Sequence, residues 1–153
     1  MSDNIDYNDL RERAVSQPLV VDKYTADPSA HVFDEKIYIY PSHDIDAGIP
    51  FNDNGDHFGM RDYHAYKMES PDDKVATDLG KILDIDDVPW AKRQMWAPDI
   101  ARKGDMYYFY FPAKDKDDIF KIGVALGRSP SGPFTADPKP IEGSYSIDPA
   151  IFN

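Results

Sequence analysis

Three aspartates at related places along the chain have the clearest potential for chemistry: Asp27, Asp99 and Asp148. Asp27 and Asp148 each precede a proline, whereas Asp99 follows one. A carboxyl group beside an ionised Asp keeps its proton nearer to neutral pH, so grouped carboxyls can divide acid and base work. Asp-Pro is also a common turn dipeptide, and Asp137-Pro138 is expected to be a simple loop. Spacing alone leaves both roles open.

A repeated sequence unit positions these aspartates. Residues 27–44 are predicted to form a strand, a tight turn at Asp34–Lys36 and a second strand at Ile37–Tyr40, and residues 98–115 follow the same order. The offset between the copies is 70 residues from Pro28 to Pro98 and 71 from Pro41 to Pro112. We attribute the difference to one extra residue in the second turn.

The next strand repeats as well. Residues 63–68 lead into Ser70-Pro71, residues 122–127 lead into Ser129-Pro130, and residues 147–153 begin a third copy. A unit of about four short strands that recurs at this period is typical of a β-propeller blade. A sandwich with similar hairpins is the alternative. Propellers close with about 4–8 blades, so we expect an all-β chain of about two blades, either a fragment or a truncated product.

Composition agrees with a β-rich protein and excludes several functions. The chain has 13 Pro and 13% aromatic residues, a net charge of −11 and no Cys. The acidic charge disfavours binding to nucleic acid and to anionic membranes, and the lack of Cys excludes disulfides and thiolate nucleophiles. No apolar run is long enough for a membrane span or marks a signal peptide, so we expect a soluble cytoplasmic protein. Residues 1–17 form a polar segment with a short helix around Tyr7–Val15.

Three motifs together resemble glycoside hydrolase family 43. They are Ala26-Asp27-Pro28, Trp96-Ala97-Pro98-Asp99 and the stretch from Ser146 to Phe152, and the resemblance covers about residues 18–153. It implies part of a five-bladed β-propeller that hydrolyses arabinose- and xylose-containing oligosaccharides with inversion, as an α-L-arabinofuranosidase or β-xylosidase does, without a redox or organic cofactor.

The resemblance also implies roles for the aspartates. Asp27 would be the general base, and Asp148 would raise the pKa of the general acid and help to orient it. The family's general acid is a Glu downstream of the Asp148 motif, and Glu142 precedes that motif, so we expect the acid to be absent. The alternative is therefore an inactive fragment or a non-catalytic carbohydrate-binding module.

Further candidates have a structural alternative. Trp96 would line the sugar site or pack in the core, and Asp99 would bind a sugar hydroxyl or cap a turn. The loop from Asp44 to Asp62 is rich in Asp, Asn and Gly and could hold a structural calcium ion. A solvated loop at the rim of a substrate cleft is favoured, because the distal Glu of a calcium loop is missing.

Overall fold

The computed structural model describes residues 7–152, and this part of the chain is almost entirely β-structure. One helix, α1, spans Tyr7–Arg13, so the predicted N-terminal helix is confirmed but ends two residues earlier. Residues 1–6 of the predicted polar segment lie outside the described residues. The strands are β1 (Tyr24–Phe33), β2 (Lys36–Asp44), β3 (Asp62–Met68), β4 (Thr77–Asp84), β5 (Ala91–Arg93), β6 (Asp99–Lys103), β7 (Met106–Asp115), β8 (Phe120–Gly127) and β9 (Thr135–Ala136), with a 3-10 turn at Ile85–Asp87 after β4.

The strands form two antiparallel sheets with the same internal order. The first sheet runs β1-β2-β3-β4, and the second contains β6-β7-β8-β9 in matching order, with β5 paired to the far end of β7. This order confirms the predicted repeat of four strands. Each sheet corresponds to one propeller blade, and the described part of the chain holds two.

Both first hairpins turn in two residues. Phe33 pairs with Lys36, and Lys103 pairs with Met106. Asp34 and Glu35 have φ of 49° and 63°, the left-handed geometry that matches the twist of the flanking strands. The predicted extra turn residue is therefore wrong.

The two copies keep a constant offset through the hairpin. Ser29 pairs with Tyr40 and Asp99 pairs with Tyr110, and both residues of the second pair lie 70 positions after those of the first. Asp99 is thus equivalent to Ser29, whereas Ala97 is equivalent to Asp27. The prolines that suggested an insertion occupy adjacent rather than equivalent strand positions.

The main core lies between the two sheets. Tyr40 and Tyr63 of the first sheet meet Phe109 and Phe111 of the second, and all four side chains are fully buried. The ring centroids are 5.1 Å apart for Tyr63 and Phe109 and 5.9 Å apart for Tyr40 and Phe109. Because side chains alternate across a strand, the residues next to these in sequence face away from the interface between sheets.

The third copy begins beside the second sheet without forming a strand within the described residues. The backbone N–H of Ile151 donates to Asp99 at the start of β6, at 2.7 Å. This contact fixes the segment that follows Asp148. Within residues 7–152, no helix has the length and apolar character that crossing a bilayer requires.

Candidate functional site

Four separate stretches of the chain line one cavity of about 500 Å³. They are the start of β1, the end of β2 with the following loop, the segment before β6, and the segment after β9. Apolar side chains with a few carboxyl groups dominate the lining, a composition typical of small-molecule sites. The lining residues are Ala26, Asp27, Pro28, Asp44, Phe58, Met60, Trp96, Ala97, Ile147 and Asp148. The structure thus brings together three of the four sequence-predicted site residues.

Asp27 and Asp148 share an uncommon backbone geometry. Their φ angles are 45° and 55°, in the left-handed region that Asp tolerates better than most residues. At Asp27 the pairing of β1 with β2 shifts register between Ala26 and Ser29, which aims the carboxyl out of the regular strand. Such strain costs on the order of 1–3 kcal/mol and clusters at functional sites. The equivalent Ala97 of the second copy does not have a positive φ.

Trp96 is held in place from three sides. Its ring Nε1 donates to the carbonyl of Phe58 at 2.9 Å, and its own carbonyl accepts from the buried Tyr63 hydroxyl at 2.5 Å. The ring also packs on Phe120, with centroids 4.5 Å apart. A Cβ at Gly55 would lie 3.3 Å from the ring, and Gly55 has a φ of +69°, so glycine suits this position. The ring is therefore fixed before any ligand enters.

Asp44 is a third carboxyl in the cavity that the sequence analysis did not identify. Its Oδ1 is buried and has no hydrogen-bond partner. Burial raises the pKa of Asp44, and the negative charge of Asp27 raises it further, while His43 opposes both effects. Strand alternation was the sequence signal that pointed to Asp44. Because Asp44 lies two residues after Ser42, the two residues share a face of β2. The polar loop that follows Asp44 obscured it.

Asp99 lies outside the cavity and joins three parts of the fold. Its Oδ1 contacts His31 Nε2 at 2.6 Å and accepts from the N–H of Ile100 at 2.8 Å, and its Oδ2 accepts from the N–H of Ile151. The residue is only 7% exposed. The predicted contact with a sugar hydroxyl therefore has no support in this geometry. Asp99 links β1 to β6 and fixes the segment that carries Asp148.

The acidic loop after β2 forms part of the cavity rim, through Phe58 and Met60. Several of its polar side chains are already paired. Asn52 Oδ1 accepts from the N–H groups of Asn54 and Asp56, and Asp56 pairs with Arg93 at 2.7 Å. The hydrogen bond from Arg93 lowers the pKa of Asp56.

Calcium binds six to eight oxygens that converge on one point. The oxygens of Asn52 and Asp56 are directed to backbone and guanidinium donors, which disfavours calcium binding by these two residues. The preferred sequence interpretation, a loop at the rim of a cleft, agrees with the structure.

Within the described residues, no Glu lines the cavity. Glu142 is exposed and lies in the segment between β9 and Asp148. The site thus offers three carboxyl groups on Asp residues and a fixed indole ring. This arrangement is suited to binding and polarising a small polyhydroxylated molecule.

Comparison with known proteins gives a consistent result. The sequence profile for glycosyl hydrolases family 43 matches residues 17–153. A xylosidase/arabinosidase 43A from Humicola insolens is 58% identical over 136 residues, which are 88% of this chain and 42% of that protein. A xylosidase/arabinosidase from Bacteroides ovatus is 53% identical over 135 residues, with the same two coverages of 88% and 42%. The chain therefore spans about two fifths of the length of these curated relatives.

Solved structures show the same fold. A β-xylosidase/α-arabinofuranosidase from a compost microbial metagenome, described in complex with xylotriose and in a calcium-free form, is 65% identical with a TM-score of 0.87, and the match covers 91% of this chain and 42% of that one. An enzyme from Xanthomonas citri complexed with xylotriose is 55% identical with a TM-score of 0.84, and the match covers 95% of this chain and 41% of that one.

Proposed function

The chain belongs to glycosyl hydrolase family 43, and we propose that it supplies part of the active site of an inverting glycosidase. The proposed substrates are oligosaccharides that contain xylose or arabinose, in line with the names of the relatives and with the xylotriose complexes. One observation carries the proposal: Asp27, Asp148 and Trp96 come from distant parts of the sequence and line a single cavity.

In the proposed reaction Asp27 acts as the general base. It takes a proton from a water molecule as the water oxygen attacks the anomeric carbon, and the bond from that carbon to the leaving oxygen breaks. A carboxylic acid on the opposite side gives its proton to the leaving oxygen. Inverting enzymes keep the two carboxyls about 6.5–9.5 Å apart so that the water fits between them.

Asp148 tunes the acid in this proposal. An ionised Asp148 near the acid raises the pKa of that acid by like-charge repulsion, which keeps the acid protonated at neutral pH. The hydrogen bond from Ile151 to Asp99 fixes the chain three residues after Asp148, so the position of this charge is determined by the fold.

Trp96 and its apolar neighbours provide the binding surface. The apolar face of a pyranose or furanose ring can stack on the fixed indole, while carboxylates accept hydrogen bonds from sugar hydroxyls. Trp96 is already anchored through its ring nitrogen and its backbone carbonyl, so sugar binding requires little further loss of side-chain entropy.

The general acid is proposed to be a Glu in the part of the enzyme that this chain does not include. We therefore expect the 153-residue chain to bind sugar weakly and to lack turnover, whereas the longer enzyme hydrolyses it. The chemistry itself consumes only water and requires no redox or organic cofactor. Any structural calcium is proposed to lie away from Asn52 and Asp56, whose side-chain oxygens are already paired.

The test uses the longer enzyme with aryl β-xylosides and α-arabinofuranosides. Asp27→Ala should lower kcat/KM by about 10²–10⁴-fold, the typical contribution of a general base. Asp148→Asn should shift the alkaline limb of the pH profile to lower pH, because the acid loses its charged neighbour. Asp137→Asn is the matched control, since this exposed residue also precedes a proline but lies outside the cavity.

Unchanged turnover in Asp27→Ala would remove the proposal. Xylotriose binding by the longer protein without any hydrolysis would instead establish the alternative, a carbohydrate-binding module. Nuclear magnetic resonance of the first product formed separates inversion from retention of the anomeric configuration, which tests the assignment of Asp27 as a base rather than a nucleophile.

A further inference from the structure

A second cluster of ligating side chains lies on the first sheet, outside the cavity. It consists of His43, Asp62 and His64, and one potential ligand atom from each lies within 4.8 Å of those of the other two. Among the described residues this is the only such group of three. Two of the four histidines of the chain take part in it.

Strand register explains why these residues meet. Ser42 of β2 pairs with Tyr63 of β3, so the next position on β2, His43, lies opposite Asp62. Asp62 and His64 are two residues apart on β3 and therefore share a face. Tyr63, which lies between them, is directed into the core, so the cluster occupies the face turned away from the second sheet.

The hydrogen bonds around the cluster leave one ring nitrogen of His64 with a lone pair that can bind a metal ion. Its Nδ1 contacts the two oxygens of Asp78 at 3.0 and 3.1 Å, and Asp78 also accepts from Lys23 at 2.7 Å and from the N–H of Gly80 at 2.7 Å. A carboxylate paired with an ammonium group only accepts, so Nδ1 of His64 is the donor and Nε2 of neutral His64 keeps its lone pair. A carboxylate behind a histidine is the usual outer support of a metal-binding imidazole.

His43 and Asp62 complete the donor set. His43 Nδ1 lies 2.5 Å from Asp62 Oδ1, so the two atoms share a hydrogen bond. A metal ion can take the place of the shared proton after small shifts of the two side chains. The side chains are 21%, 20% and 14% exposed for His43, Asp62 and His64, which gives an ion a path from solvent without leaving the site fully open.

We propose that His43, Asp62 and His64 bind a divalent transition-metal ion of the zinc type, with Asp78 as the outer carboxylate that orients His64. Two imidazoles and one carboxylate match Zn²⁺, Co²⁺, Ni²⁺ or Cu²⁺, whereas Ca²⁺ and Mg²⁺ prefer sets composed of oxygen. The ion joins β2 to β3 directly and reaches β4 through Asp78, so its role is to clamp the outer part of the first sheet. This inference is independent of the proposed hydrolysis.

The experiment uses purified protein that is stripped with a chelator and titrated with Co²⁺ and Zn²⁺. We expect absorption bands of low-coordinate Co²⁺ at one equivalent, displacement by Zn²⁺, and a higher Tm with either ion. His43→Gln and His64→Gln should abolish the bands, and Asp78→Asn should weaken binding about 10–100-fold. His31→Gln is the matched control, because His31 also pairs with an aspartate but has no second imidazole partner.

Electron paramagnetic resonance of the Cu²⁺-loaded protein gives a readout that does not depend on the folding of any variant. Coupling to two imidazole nitrogens is expected. Bands that persist in His64→Gln, or Cu²⁺ spectra without nitrogen ligands, would overturn the site. Equal binding by all variants, or no binding by the unaltered protein at millimolar metal, would show that the cluster is a hydrogen-bonded network only.

Discussion

At the scale of single residues, the cavity contains a carboxyl group that lacks a hydrogen-bond partner for one of its oxygens. Asp44 lines the cavity, and its buried Oδ1 has no partner. Buried polar atoms without partners are rare in folded proteins and call for a specific explanation. A sugar hydroxyl that donates to this carboxyl from the cavity would give it a hydrogen-bond partner and account for an aspartate in this position.

Asp44→Ala is therefore expected to raise KM for an aryl xyloside by about tenfold or more in the longer enzyme, since hydrogen bonds to charged groups contribute roughly 1.5–3 kcal/mol. The control is Asp46→Ala, an exposed residue of the same loop that lies outside the cavity. An unchanged KM in Asp44→Ala would show that this carboxyl does not contact substrate.

Two buried tyrosines allow the anchoring of Trp96 to be tested separately from the core. Tyr63 donates to the carbonyl of Trp96, and Tyr40 donates to the carbonyl of Pro130 at 2.7 Å. Neither Tyr40 nor Pro130 lines the cavity. Tyr63→Phe and Tyr40→Phe should each lower the free energy of unfolding by about 1–2 kcal/mol, because each leaves a carbonyl unpaired. Urea unfolding measures this loss. Only Tyr63→Phe should also weaken sugar binding, and equal binding by both variants would exclude the anchoring role.

At the scale of elements, Asp99 connects the start of the third copy to the two sheets. Asp99→Asn keeps the size of the side chain but places an NH₂ group where one of the three donors now bonds. We expect a loss of about 2–3 kcal/mol in unfolding free energy without sugar present, from broken hydrogen bonds to a buried charged group. Asp105→Asn, in the exposed turn between β6 and β7, is the control. An Asp99→Asn variant with unchanged stability and weaker sugar binding would restore the sugar-contact role.

A charged group also joins the outer ends of β2 and β3. Lys36 and Lys67 both pair with Glu69, and their hydrogen bonds lower the pKa of Glu69 to about 2. Because the folded pKa lies below the unfolded value, the stabilisation is present above about pH 4.5 and is lost as pH falls towards 2. Glu69→Gln should lower Tm slightly at pH 7 and at low salt, and not at pH 2. Since the group is exposed, high salt should remove most of the difference. A Tm difference that is the same at both pH values would contradict this account.

At the scale of the whole molecule, the sequence was sufficient for the repeat but not for its alignment. Strand and turn signals located both hairpins, the strands that end at Ser-Pro and the third Asp-Pro. Matching Pro41 with Pro112 then suggested one extra residue in the second turn, because prolines at neighbouring strand positions look equivalent when pairing is unknown. Only the register shows that the offset stays at 70 residues through the hairpin.

The candidate site could likewise be predicted only in part from the sequence. Asp27 and Asp148 could be predicted because their Asp-Pro motifs repeat, and Trp96 because of the family resemblance. The cluster at His43 could not, since it depends on contacts between strands and has no local motif. For Asp44, strand alternation was the one signal, and it did not show that the residue lines the cavity. Pairing sets which face a side chain occupies, and a shift of one residue reverses that face.

The aromatic core joins the two sheets, and we expect them to unfold as a single cooperative unit. Phe109 is fully buried and packs on Tyr40 and Tyr63 of the first sheet and on Phe134, which lies just before β9, with ring centroids 5.1–5.9 Å away. Phe109→Ala should therefore lower the unfolding free energy by about 3–5 kcal/mol.

The cooperativity of that loss can be measured with two probes. Tryptophan fluorescence reports on the junction between the sheets, because Trp90 and Trp96 lie between β4 and β6, while far-ultraviolet circular dichroism reports on all strands. Both probes should shift to lower urea by the same amount in Phe109→Ala and remain superimposable. An exposed aromatic, Tyr24, provides the control, since Tyr24→Ala removes a ring that is 84% exposed. Separate transitions for the two probes would mean that each blade folds alone, and the cavity between them would then depend on docking rather than on a shared core.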